Sequence, residues 1–218
     1  MDNSKETVER KNAHIHYAAS FMGGFLAIYP ILSIAKIFGS AQTANLIELV
    51  LDCVKGHWAV VLLRFIGMLL YGFGVFAATL VITRTKFNVK ILSLFVNVAT
   101  GIVMFFLPDN LPAVCYLYPT FVAMSFQWAS FPGAYGFVSS SIFSTNNWRQ
   151  TVSAATEFFI NKKSEFKIKM IFYAVTLLFF HLGIVASYVG NQIFGKITFI
   201  GIIIPAIITY LLLKNKDK

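Results

Sequence analysis

Six stretches of the chain are almost continuously apolar, at roughly 15–38, 58–82, 90–107, 112–132, 168–190 and 196–213. A helix needs about 20 apolar residues to cross the hydrocarbon core of a bilayer, so the pattern predicts an all-α integral membrane protein with six transmembrane helices. Residues 39–57 break the rhythm. There Asn45, Glu48, Asp52 and Lys55 recur at helical spacing among Leu46, Ile47, Leu49, Val50 and Leu51, which draws one polar stripe along an apolar helix. A helix of about 12 residues is about 18 Å long, too short to span. The spacing therefore predicts a short interfacial or re-entrant helix after the first span.

Composition sharpens this reading. Hydrophobic residues make up 57% of the 218 positions and charged residues 12%, whereas a soluble domain carries roughly 25% charged residues. The net charge of +9 is a topology signal and gives no reason to expect a nucleic-acid partner. Fourteen basic residues fall in the N-terminal tail (Lys5, Arg10, Lys11), the second connection (Arg84, Lys86, Lys90), the fourth (Arg149, Lys162, Lys163, Lys167, Lys169) and the C-terminal tail (Lys214, Lys216, Lys218). Only Lys36, Lys55 and Lys196 fall on the other side, and Arg64 lies inside the second span. Positive charge collects on the cytoplasmic side of short loops, so both termini are expected in the cytoplasm. Asp2, Glu6 and Glu9 among the first basic residues argue against a signal peptide. Cys53 and Cys115 sit in apolar surroundings without metal-ligand spacing and read as free thiols.

The two halves of the chain resemble each other at an offset of 102 residues. Met22, Pro30, Thr43 and Asn45 meet Met124, Pro132, Thr145 and Asn147 without a gap, and after a seven-residue insertion Gly74-Val-Phe-Ala77 meets Gly183-Ile-Val-Ala186. Each half, about 14–107 and 112–213 of a single membrane domain over 1–218, holds three spans. An odd number of spans forces the second copy to enter from the opposite side, which gives inverted-topology repeats, each with a short helix after its first span. The second short helix carries Asn147, Gln150, Ala154 and Glu157 at the stripe positions. Asn45 and Asn147 fit two roles at once: capping a helix start, and shaping a polar site where that start lies inside the membrane. Pro30 and Pro132 break the preceding spans at matching depths.

Met22-Gly-Gly-Phe-Leu with Tyr29, then Ser40-Ala-Gln-Thr-Ala-Asn-Leu46, and Thr145-Asn-Asn-Trp148-Arg149 in the second half, resemble the signature of the YoaK-like bacterial membrane proteins. The resemblance covers nearly the whole chain. It implies a six-span protein of the bacterial cytoplasmic membrane, in a family of unknown function often taken to be transporters. Ala27 stands where the family motif has an aspartate, and Ala44 and Asn146 replace its glycines. The resemblance supplies a fold and a broad role, and no substrate.

The residues expected to carry function follow from their cost in lipid, since an ionisable group inside a membrane needs a reason to be there. Thr43, Asn45, Thr145 and Asn147 offer hydrogen bonds at the two polar breaks, Glu48 and Arg64 set charge, and Gln127 lines a cavity. Arg64 either snorkels outward, pairs with Glu48 or Asp52, or meets an anionic solute. His181 either bonds a neighbouring helix or carries protons. Gly23, Gly24, Gly72 and Gly74 permit close helix packing, and Tyr116 and Tyr118 anchor an interface. His14 and His16, two residues apart, do not share a helical face. No catalytic motif, metal set or cofactor fingerprint appears, so no enzyme is expected. The expected function is transport or channelling of a small solute between the two repeats; the alternative is a non-transporting membrane scaffold or accessory subunit. The lipid bilayer and an unknown small solute are the expected partners, with a homo-oligomer left open.

Overall fold

The computed structural model describes residues 3–32 and 39–215. Helix α1 (Asn3–Ala27) stops short of Pro30, and the chain resumes as a single turn, α2 (Tyr29–Leu32). Proline lacks the amide a continuing helix would need. The Gly39 amide instead donates to the Ala27 carbonyl at 2.7 Å, re-satisfying a group the break left free. Next come α3 (Gln42–Val54), α4 (Trp58–Arg84) and α5 (Val89–Phe106), the last capped by the Asn88 side chain, which accepts from the Lys90 and Ile91 amides. A 3-10 turn at Ala113–Leu117 leads into α6 (Tyr118–Ser130). A two-residue antiparallel hairpin, β1 (Gly133–Ala134) with β2 (Phe137–Val138), precedes α7 (Thr145–Asn161). Helix α8 (Ser164–Phe194) then turns at Gly195, where φ is +58°, into a 3-10 segment (Gly195–Ile202) and α9 (Ile203–Lys214).

The fold is all-α apart from the small hairpin. Among the described residues four stretches are long and apolar enough to cross a membrane: Lys5–Leu32, Trp58–Arg84, Val89–Phe106 and the 51-residue run Ser164–Lys214, which contains the turn at Gly195. The expected first span, 15–38, begins earlier than its apolar pattern, and 33–38 lie outside the described residues. The expected span at 112–132 is a 3-10 turn followed by the 13-residue α6 and is not among the four. Only 22% of the most apolar window of α4 is buried within the protein. Its outward residues are Leu62, Phe65, Leu69, Phe73, Phe76 and Leu80, an apolar surface of a kind lipid covers and water does not.

Packing follows the glycines. Helix α1 crosses α8, and α4 crosses α6. A Cβ on Gly24 would strike the Phe180 carbonyl, and one on Gly183 would strike the Phe21 carbonyl and press on the Phe25 amide. A Cβ on Gly74 would strike the Ser125 hydroxyl and the Val122 carbonyl and approach the Phe126 amide. Both Gly183 and Gly74 thus sit over a carbonyl and the amide four residues on, and the backbones approach as close as helices can. Gly23 abuts the Ser141 carbonyl, whereas Gly72 faces open space and serves no crossing. The core lies among α1, α5, α6 and the 3-10 segment before α9, filled by Met22, Leu26, Tyr29, Met104, Met124 and Phe199. Tyr116, expected as an interfacial anchor, is instead buried and donates to the Pro108 carbonyl at 2.9 Å, and Tyr118, half-buried, donates to the Leu63 carbonyl at 2.8 Å. Buried hydroxyls need partners, and backbone carbonyls supply them.

Gly74→Ala and Gly183→Ala are expected to lower the melting temperature of the detergent-solubilised protein, each costing about 1–3 kcal/mol through overpacking. Gly72→Ala is expected to be neutral or stabilising, because alanine is the better helix former. Equal effects at all three positions would contradict the assigned crossings.

Candidate functional site

The expected site residues fall into three separate groups. The first lies between α3 and α4, which form a hairpin turned at Gly56, where φ of +73° suits glycine. Along α3, Asn45 and Asp52 face inward, two turns apart. Arg64 Nε donates to Asp52 Oδ2 at 2.7 Å, and Arg64 Nη2 to Glu48 Oε2 at 3.3 Å. His57 Nδ1 lies 3.3 Å from Asp52 Oδ1. Arg64 therefore does not snorkel; its charge is met by two carboxylates, and its side chain is 11% exposed. The Arg64 guanidinium, hydrogen-bonded to Asp52, holds that carboxyl below its usual range against the opposing effect of burial. Asn45 donates from Nδ2 to the Arg64 backbone carbonyl at 3.1 Å. It does not cap α3, whose start is Gln42 with Ala41 before it. Thr43 is exposed and joins none of these contacts.

The second group is a buried hydrogen-bond network around the non-helical segment Ser139–Phe143. Asn147 is buried in the first turn of α7, and it too is no cap: Ser144 occupies that place without a side-chain bond. Asn147 Nδ2 donates to the Ser140 carbonyl (2.7 Å) and the Phe143 carbonyl (3.1 Å), while its Oδ1 accepts from Ser139 Oγ (3.0 Å) and the Ser140 amide (3.4 Å). With the Ser139 hydroxyl proton committed to Asn147, Ser139 Oγ accepts from His16 Nε2 at 3.1 Å. That fixes the imidazole tautomer with its proton on Nε2. Gln127 is fully buried and donates to the Ala19 carbonyl (2.9 Å) and Ser141 Oγ (3.1 Å), and its Oε1 accepts from Asn97 Nδ2 at 2.6 Å. Gln127 is thus bonded into the interior and does not line an open cavity.

The third group lines an open cleft of about 540 Å³ between the start of α7 and the middle of α8, formed by Ser144, Thr145, Trp148, Leu177 and His181, of which Thr145, Trp148 and His181 are exposed. His181 does not bond a neighbouring helix; its Nδ1 lies 2.8 Å from the carbonyl of Leu177, one turn back in its own helix. That bond leaves Nε2 as the free ring nitrogen. Trp128 is half exposed and packs edge-on to Phe143 at 5.4 Å. Among the described residues no hydrogen bond joins the Glu48–Arg64 group to the Gln127–Asn147 group, and no cluster of three or more His, Cys, Asp or Glu forms. Both cysteines are free.

Residues 15–213 match the family described as a protein of unknown function, DUF1275. The chain belongs to this family. The YoaK-like resemblance lies within it, since the YoaK-like proteins are DUF1275 members. No curated protein and no solved structure matches the chain. In this DUF1275 protein, then, the site rests on geometry alone. Its pattern left out Asp52 and His57 as site residues, although Asp52 lies on the α3 stripe. It also left out His16, Asn97 and the run Ser139-Ser140-Ser141. The signals were present: Asn97 is the lone amide in an apolar span, and three successive serines follow a proline break.

Asp52 yields a pH prediction whose sign is set by its lowered pKa. The ion pair stabilises the fold fully above the ordinary carboxylate range and is lost as pH falls through the lower folded-state pKa. Wild-type protein is expected to melt higher than Asp52→Asn at pH 7, and the gap is expected to narrow below about pH 4. A gap that is constant from pH 7 to pH 3 would contradict the pairing.

Proposed function

We propose that the protein is a small-solute transporter or channel, built from two inverted three-span repeats. In this reading the chain crosses a bacterial cytoplasmic membrane six times, with both tails inside. The first crossing is α1, the second and third are α4 and α5, and the fourth is α6 with its 3-10 turn. The long run Ser164–Lys214 makes two crossings about the turn at Gly195. The repeat is supported by the exchanged packing: the first helix of one half crosses the second helix of the other, twice, over glycines 74 and 183. It is also supported by α3 and α7, of 13 and 17 residues, each followed by a long helix with which it forms a hairpin.

One observation carries the transport reading. The Ser139–Phe143 segment is non-helical, yet it lies buried against Gly23 of α1 and Gln127 of α6. Backbone of that kind is tolerated at membrane depth only where protein buries it or a water-filled cavity takes it up. In secondary transporters, interrupted helices of this type build the substrate site between repeats. Here α7 starts from the interrupted segment beside the His181 cavity, with its first amides uncapped by any side chain. A second reading, a non-transporting scaffold or accessory subunit, is favoured by the saturation of Arg64, Gln127 and Asn147 with protein partners.

Proteoliposomes assayed against a panel of isotope-labelled metabolites are expected to take up at least one compound above protein-free vesicles. Thr145→Val with His181→Leu is expected to cut that uptake about tenfold or more, the scale at which losing one or two hydrogen bonds to a bound solute acts, with normal insertion. No uptake of any compound would support the scaffold reading. Full uptake by the double variant would remove the α7–α8 cavity from the path.

A further inference from the structure

Asn97 lies midway along α5 and is fully buried, and its amide has only one workable orientation. Gln127 Nε2 faces the Ala19 carbonyl and Ser141 Oγ, which turns Gln127 Oε1 toward Asn97, and Asn97 must answer with Nδ2 at 2.6 Å. Its Oδ1 is therefore an acceptor, and no protein group among the described residues donates to it. One turn back on the same face, Ser93 Oγ is also fully buried and also without a partner among the described residues. Native proteins seldom bury polar atoms in this condition unless something else supplies the bond.

The surroundings of the two atoms differ along α5. At the N-terminal end of the helix a cavity of about 500 Å³ is lined by Asn12, Ile15, Asn88, Lys90 and Leu213. Lys90, Ser93 and Asn97 fall at i, i+3 and i+7 on one face, so Ser93 and Asn97 lie about 5 and about 10 Å further along the axis. Toward the other end the seam is shut. Gly101 abuts the Phe199 carbonyl, Tyr29 stands edge-on to Phe199 at 4.5 Å, and the Tyr29 hydroxyl donates to the Met104 carbonyl.

We propose that Ser93 and Asn97 form a binding station for a small neutral solute that donates hydrogen bonds, such as a primary amide. It is reached from the Lys90 cavity and sealed from the opposite face by the Tyr29–Phe199 layer. The chemistry of the station selects the class. Asn97 Oδ1 offers lone pairs, which repel an anion. Among the described residues no carboxylate is bonded to either, so a cation would lose its hydration with no counter-charge beside it and would have to pass Lys90. A neutral N–H or O–H donor satisfies both atoms and meets neither penalty. The proposal rests on the transport reading for its purpose, and on the geometry of α5 for its place.

Labelling in membrane vesicles tests it. In a Cys53→Ser, Cys115→Ser background, Ser93→Cys is nearly isosteric and Leu94→Cys places a thiol in the packed core. Methanethiosulfonate reagents attack thiolates, which form in water and hardly at all in apolar packing, so Ser93→Cys is expected to react about tenfold faster than Leu94→Cys or more. Acetamide is expected to slow the Ser93→Cys reaction, while N,N-dimethylacetamide, with the same carbonyl and no N–H, leaves it unchanged. Equal inertness of the two thiols would overturn the open path. Equal slowing by both amides, or by neither, would overturn the donor class. A wild-type protein that takes up no metabolite in proteoliposomes would remove the transport reading and leave the labelling result standing, so the two failures are distinguishable.

Discussion

A run of backbone that leaves the helix inside an apolar protein must find a partner for every N–H and C=O it exposes, and the segment Ser139–Phe143 sets that demand here. Asn147 answers part of it, accepting the Ser140 amide and donating to the Ser140 and Phe143 carbonyls, while the Ser139 and Ile142 amides donate to the Pro132 carbonyl and Ser140 Oγ. Gln127 and His16 hold the neighbouring serine hydroxyls from α6 and α1. Because those two helices carry the clamps, α1, α6 and α7 cannot shift independently. The interrupted segment sets the start of α7 next to the middle of α8, with Asn147 turned into the interior and Thr145, Asn146 and Trp148 exposed.

Close backbone contact makes this clamp possible. Gly23 admits the Ser141 carbonyl against α1, and Gly24 and Gly183 let α1 and α8 meet without side chains between them. The same contact at Gly74 brings α4 onto α6. Beside the clamp, polar groups gather at three further places the crossings leave: the Asp52–Arg64 pair at one end of α4, the Asn97–Gln127 pair in the centre, and the α7–α8 cleft. Asp52–Arg64 is internally neutralised. Asn97 and Ser93, by contrast, are fully buried and keep polar atoms without a partner among the described residues.

Much of the frame is legible in the sequence because it depends on local pattern. Apolar runs, the breaks at Pro30 and Pro132, and the stripes through Asn45 and Asn147 all reflect spacing within one helix. What failed depends on one or two residues of boundary or on contacts across the fold. Asn45 reads as a cap only if its helix starts beside it, but α3 begins at Gln42, so the side chain instead reaches a carbonyl of α4. Tyr116 and Tyr118 carry the composition of interfacial anchors, yet their hydroxyls meet carbonyls within the fold. The links from Asn97 to Gln127 and from Gln127 to Ser141 join residues 30 and 14 positions apart, and no periodicity announces such a pairing. Asn97 was visible as a polar residue in an apolar span; its partner was not.

The central claim is that the two halves are the same unit inserted in opposite directions. Single cysteines at Lys55→Cys, after α3, and Lys163→Cys, after α7, occupy corresponding ends of the two short helices and are both exposed. Labelled with a membrane-impermeant maleimide in vesicles of known orientation and a cysteine-free background, they are expected to react from opposite sides, Lys163→Cys from the cytoplasm. Labelling of both from the same side would contradict the inverted arrangement.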